Sequence, residues 1–146
     1  MENKYYTPTI EELKVGLECE WLADPANEVY KPVELTANML SLTLDTTGWN
    51  FERLGVPGPL TNYRIKYLDA EDIESLGWIK SQYKTKEVYQ LNRFVITSFS
   101  RLEENGLVID ISLLPHFKDS ELRRIFRGRI KNKSELKTIM KQVGIL

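Results

Sequence analysis

A chain of 146 residues that is 42% hydrophobic and 28% charged can bury a core without staples, which excludes fibrous and wholly disordered classes. A single cysteine, Cys19, excludes an intramolecular disulfide and a cysteine-rich zinc site, and suits a reducing cytoplasm. A net charge of −1 gives no general preference for polyanions; there is no apolar run of about 18 residues to span a membrane, and the acidic, polar opening MENKYYTPTIEE is not a signal sequence.

After a polar arm with Tyr5, Tyr6 and Pro8, the segment Val15 to Leu22 alternates. Val15, Leu17, Cys19 and Trp21 fall on one side and Glu18 and Glu20 on the other, which predicts a half-buried strand. Asp24, Pro25, Ala26 and Asn27 predict a turn. Val29 to Leu35 is extended again, but Pro32 lacks an amide donor, so this piece is expected at a sheet edge or as an irregular return. MLSLTL at 39 to 44 alternates and predicts a strand. The Gly- and Pro-rich run that follows, to Asn62, predicts a long loop. Long loops are often functional, which makes Trp49, Phe51 and Arg53 a candidate contact surface; the alternative is that the two aromatics pin the loop into the core.

Tyr63, Ile65 and Tyr67 alternate with Arg64 and Lys66, and Asp69 then stands where a helix cap is needed, with Glu71 and Asp72 in the first turn and Gly77 at the close. Val88 to Leu91, Arg93 to Arg101 and Leu107 to Leu114 predict three successive strands, the last two joined through Asn105-Gly106, a pair suited to the backbone of a tight turn. A further strand at about 124 to 130 leads into a C-terminal helix. Asn132 and Glu135 form its capping-box pattern, Leu136, Ile139, Met140 and Val143 its apolar face, and Gly144 its stop. The expected architecture is a single α+β domain over residues 1–146, an antiparallel sheet of about five to seven strands with two short helices, the C-terminal one packed on the sheet.

Catalytic motifs are scarce. His116 is the only histidine, and neither a phosphate-binding glycine loop nor a nucleophile elbow is present. Cys19 on an apolar strand face reads as packing rather than as half of a dyad with His116. Glu18 and Glu20, about 7 Å apart on one strand face, would suit two-carboxylate hydrolysis, but any amphipathic strand shows the same pattern. The acids at 69 to 74 are accounted for by helix capping and match no calcium loop. No catalytic residue, metal or cofactor is assigned.

Charge is uneven along the chain. Residues 118–146 carry nine Lys or Arg against three acids, a net +6, whereas residues 1–117 carry eleven against eighteen, a net −7. Arg123, Arg124, Arg127, Arg129, Lys131 and Lys133 are therefore the candidate partner-binding residues, with Arg127 and Arg129 sharing a strand face that Lys131 continues. Two other readings stand beside this one: such charges protect an exposed edge strand from aggregation, or they are satisfied by the acidic part of the same molecule.

The segments YYTPTIEEL, VGLECE, YRIKYLDAEDIESLGW and FRGRIKNKSELKTIMKQVGI carry a resemblance, extending over about half of the chain, to a family of small uncharacterised proteins encoded by phages, prophages and related mobile elements of gut bacteria. Residues 36–62 do not follow that resemblance clearly, and it carries no activity and no catalytic residues. It implies an accessory protein that binds host or phage macromolecules, defence proteins among them. The expectation is thus a non-catalytic, cytoplasmic interaction module with a protein partner. The runner-up is a nucleic-acid-binding accessory protein that uses the basic C-terminal surface, and a small carboxylate-dependent hydrolase comes third. No membrane is implied, and oligomeric state is not legible.

Overall fold

The computed structural model describes residues 4–44, 62–101, 107–116 and 121–146. The chain divides into two compact units, Met1–Lys66 and Tyr67–Leu146. The α+β class holds: among the described residues there are nine strands and three α-helices, and every strand pair is antiparallel. The strands form a four-stranded sheet in the first unit and a five-stranded sheet in the second.

The first unit contains β1 (Tyr5–Tyr6), a 3-10 turn (Ile10–Glu12), β2 (Glu18–Asp24), β3 (Val29–Glu34), α1 (Ala37–Leu44) and β4 (Tyr63–Lys66), with strand order β1-β4-β2-β3. The polar arm is tied down: Tyr5 and Tyr6 pair with Lys66 and Ile65, and the Tyr6 hydroxyl donates to Glu12 Oε1 at 3.0 Å. The alternation predicted from Val15 begins only at Leu17, because Gly16 turns the chain at φ +83 and leaves Val15 62% exposed. Pro32 lies on the edge strand as expected, opposite Glu20. Leu17, Cys19, Leu35, Tyr63 and Ile65 form the buried cluster, with Trp21, Val33, Met39 and Leu40 against it.

The strand expected at 39–44 is a helix. The Thr36 hydroxyl accepts from the Met39 N–H at 3.3 Å and the Thr36 carbonyl from the Leu40 N–H at 3.0 Å, which starts a helical turn. Met39, Leu40 and Thr43 then recur at the three- and four-residue spacing of one helix face, and that face outweighs the incidental alternation of leucines. Thr43 Oγ1 donates to the Met39 carbonyl at 2.7 Å. Its proton is thus committed, so the buried Tyr63 hydroxyl at 2.8 Å is the donor to it.

The second unit contains α2 (Ala70–Ser75), β5 (Ile79–Tyr83), β6 (Lys86–Leu91), β7 (Phe94–Arg101), β8 (Leu107–Leu113), β9 (Arg123–Ile130) and α3 (Lys133–Gln142). Its sheet is a meander in chain order, β5-β6-β7-β8-β9. Lys84 and Asn92 take positive φ in the two-residue connections on either side of β6. The Asn105-Gly106 connection lies outside the described residues.

Both helix starts follow the sequence closely. Asp69 accepts from the Asp72 N–H at 3.0 Å and Asn132 from the Glu135 N–H at 3.0 Å. Glu135 reaches back one residue further than a standard box, to the Lys131 N–H at 2.6 Å. Ile73, Trp78, Leu136 and Met140 join Ile96, Ile109, Ile111 and Ile130 in one buried cluster, so the C-terminal helix is packed on the sheet. Each such side chain contributes about 1.5–3 kcal/mol of burial. The Trp78 indole N–H points at Met140 Sδ, 3.4 Å away.

Candidate partner-binding edge

Strand β9, RRIFRGRI, is the last strand of its sheet. Its register against β8 sets Ile130, Gly128 and Phe126 opposite Leu107, Ile109 and Ile111, the apolar face, and Arg129 and Arg127 opposite Val108 and Asp110 on the other. Between Phe126 and Arg124 the register slips by one residue, so Ile125 is unmatched and Arg124 faces Ser112. This bulge, the device by which a strand re-aims a side chain, puts Arg124 on the face of Arg127 and Arg129. Strict alternation would have placed it on the opposite side.

That face carries a carboxylate. Asp110 is 6% exposed. Its Oδ1 lies 3.1 Å from Arg124 Nε and 3.8 Å from Arg127 Nε, while the two arginine side chains remain 57% and 60% exposed. One carboxylate therefore meets two guanidinium groups, and one positive charge is left over at the strand surface. Arg123 and Arg129 are exposed, with no ion pair to either among the described residues. Lys131 follows the strand, its carbonyl accepting from the Leu68 N–H at 2.7 Å, and Lys133 opens α3. The six cations predicted as one patch thus separate. Arg124, Arg127 and Arg129 share a face, Arg123 begins the strand on the other, and the two lysines lie beyond its end. Trp49, Phe51 and Arg53 lie outside the described residues.

Sequence reasoning missed Asp110 as part of this site. The signal was present: an acid in the middle of LVIDISLL, a strand with neighbours on both sides, requires a charged partner when buried.

The other candidates resolve differently. Glu18 and Glu20 do share a face, but Glu20 Oε2 is held by Arg64 Nε at 2.6 Å and Glu18 faces Glu34 across the strand pair. Arg64 is stacked between two rings, 4.0 Å from the centroid of Tyr5 and 3.7 Å from that of Tyr30. Burial, with the Glu20 charge adding to it, pushes the Cys19 thiol up to about 11, so the sulfur is protonated packing at neutral pH rather than a nucleophile. His116 Nε2 lies 2.6 Å from Arg93 Nη2; because arginine only donates, Nε2 accepts and the ring proton sits on Nδ1. Among the described residues no group of three or more His, Cys, Asp or Glu could hold a metal ion, and no helix is long and apolar enough to cross a membrane. Comparison of the chain with protein-family models, with curated proteins and with solved structures finds no match.

Proposed function

We propose that this protein is a non-catalytic interaction module that binds a protein partner through the cationic edge strand β9. The observation that carries the reading is an eight-residue edge strand with four exposed arginines, two of which share a single buried carboxylate. Arginine is the cation suited to such work, since its planar fork binds carboxylates in pairs of hydrogen bonds and is more weakly hydrated than an ammonium group. The free, buried Cys19 supports a reducing cytoplasm as the place of action. The resemblance to small phage and mobile-element proteins supports a host or phage partner, a defence component among the candidates.

Affinity capture from a host lysate tests the reading by comparing the wild type with Arg127→Glu plus Arg129→Glu. Loss of a specific protein from the capture, with the variant's circular dichroism unchanged, is the expected result; equal recovery counts against the edge. The clustering of Arg124, Arg127 and Arg129 on one face favours a second reading, a nucleic-acid contact. Affinity for generic DNA or RNA that falls steeply with salt marks that case, because each phosphate contact releases counterions.

A further inference from the structure

Resting on the reading of β9 as the binding edge, we infer that the partner supplies an acidic, extended peptide segment that adds to the five-stranded sheet as a sixth strand beside β9. The sheet edges differ in what they offer. β1 is two residues long, β3 is interrupted by Pro32, and β5 has five residues; β9 has eight and no proline. Among the described residues no strand pairs with its outer side, and an edge of that length, roughly 26 Å at strand rise, has a row of backbone donors and acceptors that another peptide chain can complete. Its C-terminal limit is marked, since the Lys131 carbonyl is already taken by the Leu68 N–H.

Charge selects the occupant. A second copy in antiparallel register would set arginine against arginine, which is destabilising. A nucleic acid could neutralise the arginines but has no peptide groups for the edge. β8 already shows what these arginines do with a carboxylate on an adjoining strand: Asp110, directly opposite Arg127, is approached by both Arg124 and Arg127. A strand on the open side of β9 that follows the β8 pattern would place acids where β8 has Val108, Asp110 and Ser112, facing Arg129, Arg127 and Arg124. Between them its apolar residues would lie beside Phe126 and Gly128. The segment is therefore one in which acidic and apolar residues alternate.

The probe is a blocked octapeptide of alternating Glu and Val, titrated against the whole protein and followed by backbone amide resonances. Controls are the same peptide N-methylated throughout, a block isomer EEEEVVVV, an alternating Lys–Val peptide and a single-stranded oligonucleotide. The expected result is shifts centred on Arg123–Ile130, with affinity reduced at least about tenfold by N-methylation and by the block order, the equivalent of one or two net hydrogen bonds. Arg129→Glu, which leaves both Asp110 pairs intact, should weaken binding by a similar factor; its circular dichroism reports that it is folded. Failure of the alternating peptide to bind at millimolar concentration, equal binding of the N-methylated peptide, or preference for the oligonucleotide would overturn strand addition while leaving β9 a binding surface. Peptide binding undiminished by both Arg129→Glu and Arg127→Glu plus Arg129→Glu would overturn the surface itself.

Discussion

Asp110 on β8 and Arg124 on β9 meet across a bulge, Oδ1 to Nε at 3.1 Å, although in regular register they would lie on opposite faces of the sheet. Arg127 approaches the same oxygen at 3.8 Å, so either arginine alone leaves the buried carboxylate paired. Arg124→Gln and Arg127→Gln should each cost under about 1 kcal/mol, because both side chains are more than half exposed and screened. Together they should cost more than their sum, toward about 3 kcal/mol, since the buried carboxylate then loses both of these arginines at once. A double-mutant cycle in urea measures this; additive costs would show that the two pairs act independently.

The hydrogen bond between Tyr63 and Thr43 is asymmetric in its consequences. Tyr63→Phe removes the donor and leaves Thr43 still bonded to the Met39 carbonyl, a loss of about 1 kcal/mol. Thr43→Val strands a buried phenol with no acceptor, and should cost about 1–3 kcal/mol. Thermal or urea unfolding that ranked the two in the opposite order would remove Tyr63 as the donor.

Alkaline pH should weaken the first unit. Burial pushes the Cys19 thiol from 9.0 in the open chain to about 11, and burial also pushes the Tyr63 phenol above 10.0. Both groups keep their protons longer folded than unfolded, so between these values the unfolded chain binds fewer protons and stability falls as pH rises. The loss begins near pH 9 with Cys19, is on the order of 2 kcal/mol for that group by pH 11, and is joined by Tyr63 above pH 10. Cys19→Ala should remove the earlier part of the slope, which urea titrations at stepped pH will show.

Gly128 and Phe126 form a coupled pair on the apolar face of β9. A β-carbon at 128 would come within 2.7 Å of Phe126 Cζ, closer than van der Waals contact allows, so Gly128→Ala must displace the ring. A destabilisation of about 1–3 kcal/mol is expected from this overpacking. In Phe126→Ala the same glycine replacement should cost much less, and equal costs in the two backgrounds would rule out the ring as the obstacle.

Arg64 joins three neighbours at once, with its guanidinium between the rings of Tyr5 and Tyr30 and its Nε on Glu20. Arg64→Lys keeps the charge but loses the planar stack and the directed bond, and should cost about 1–2 kcal/mol. Because stacking is little screened, most of that cost should persist at high salt. A penalty that vanished in 1 M salt, where the screening length is about 3 Å, would reduce the site to a simple ion pair.

What was legible in the sequence follows from the range of the forces involved. Asp69 and Asn132 could be read as caps because a cap is settled within three residues, and the structure places both side chains on the expected amides. Pro32 could be read as an edge because its missing donor is a property of the residue alone. The helix at 37–44 was misread because MLSLTL fits two periods, and the choice between them is made by Thr36 before it and by the Tyr63 hydroxyl from a strand twenty residues on. The strand Ile79–Tyr83 carried too little apolar alternation to be seen, and its place is set by pairing with β6. In the candidate edge the arginines were legible as charge, but their division between faces was not, since the bulge at Ile125 depends on β8.

Each compact unit is made of unbroken sequence, and the backbone passes from one to the other only once, between Lys66 and Tyr67. A single crossover at those codons would exchange either unit whole, leaving every strand pair described in the other intact. The arginine edge and the stacked Arg64 sheet thus stand on separate continuous stretches of the chain.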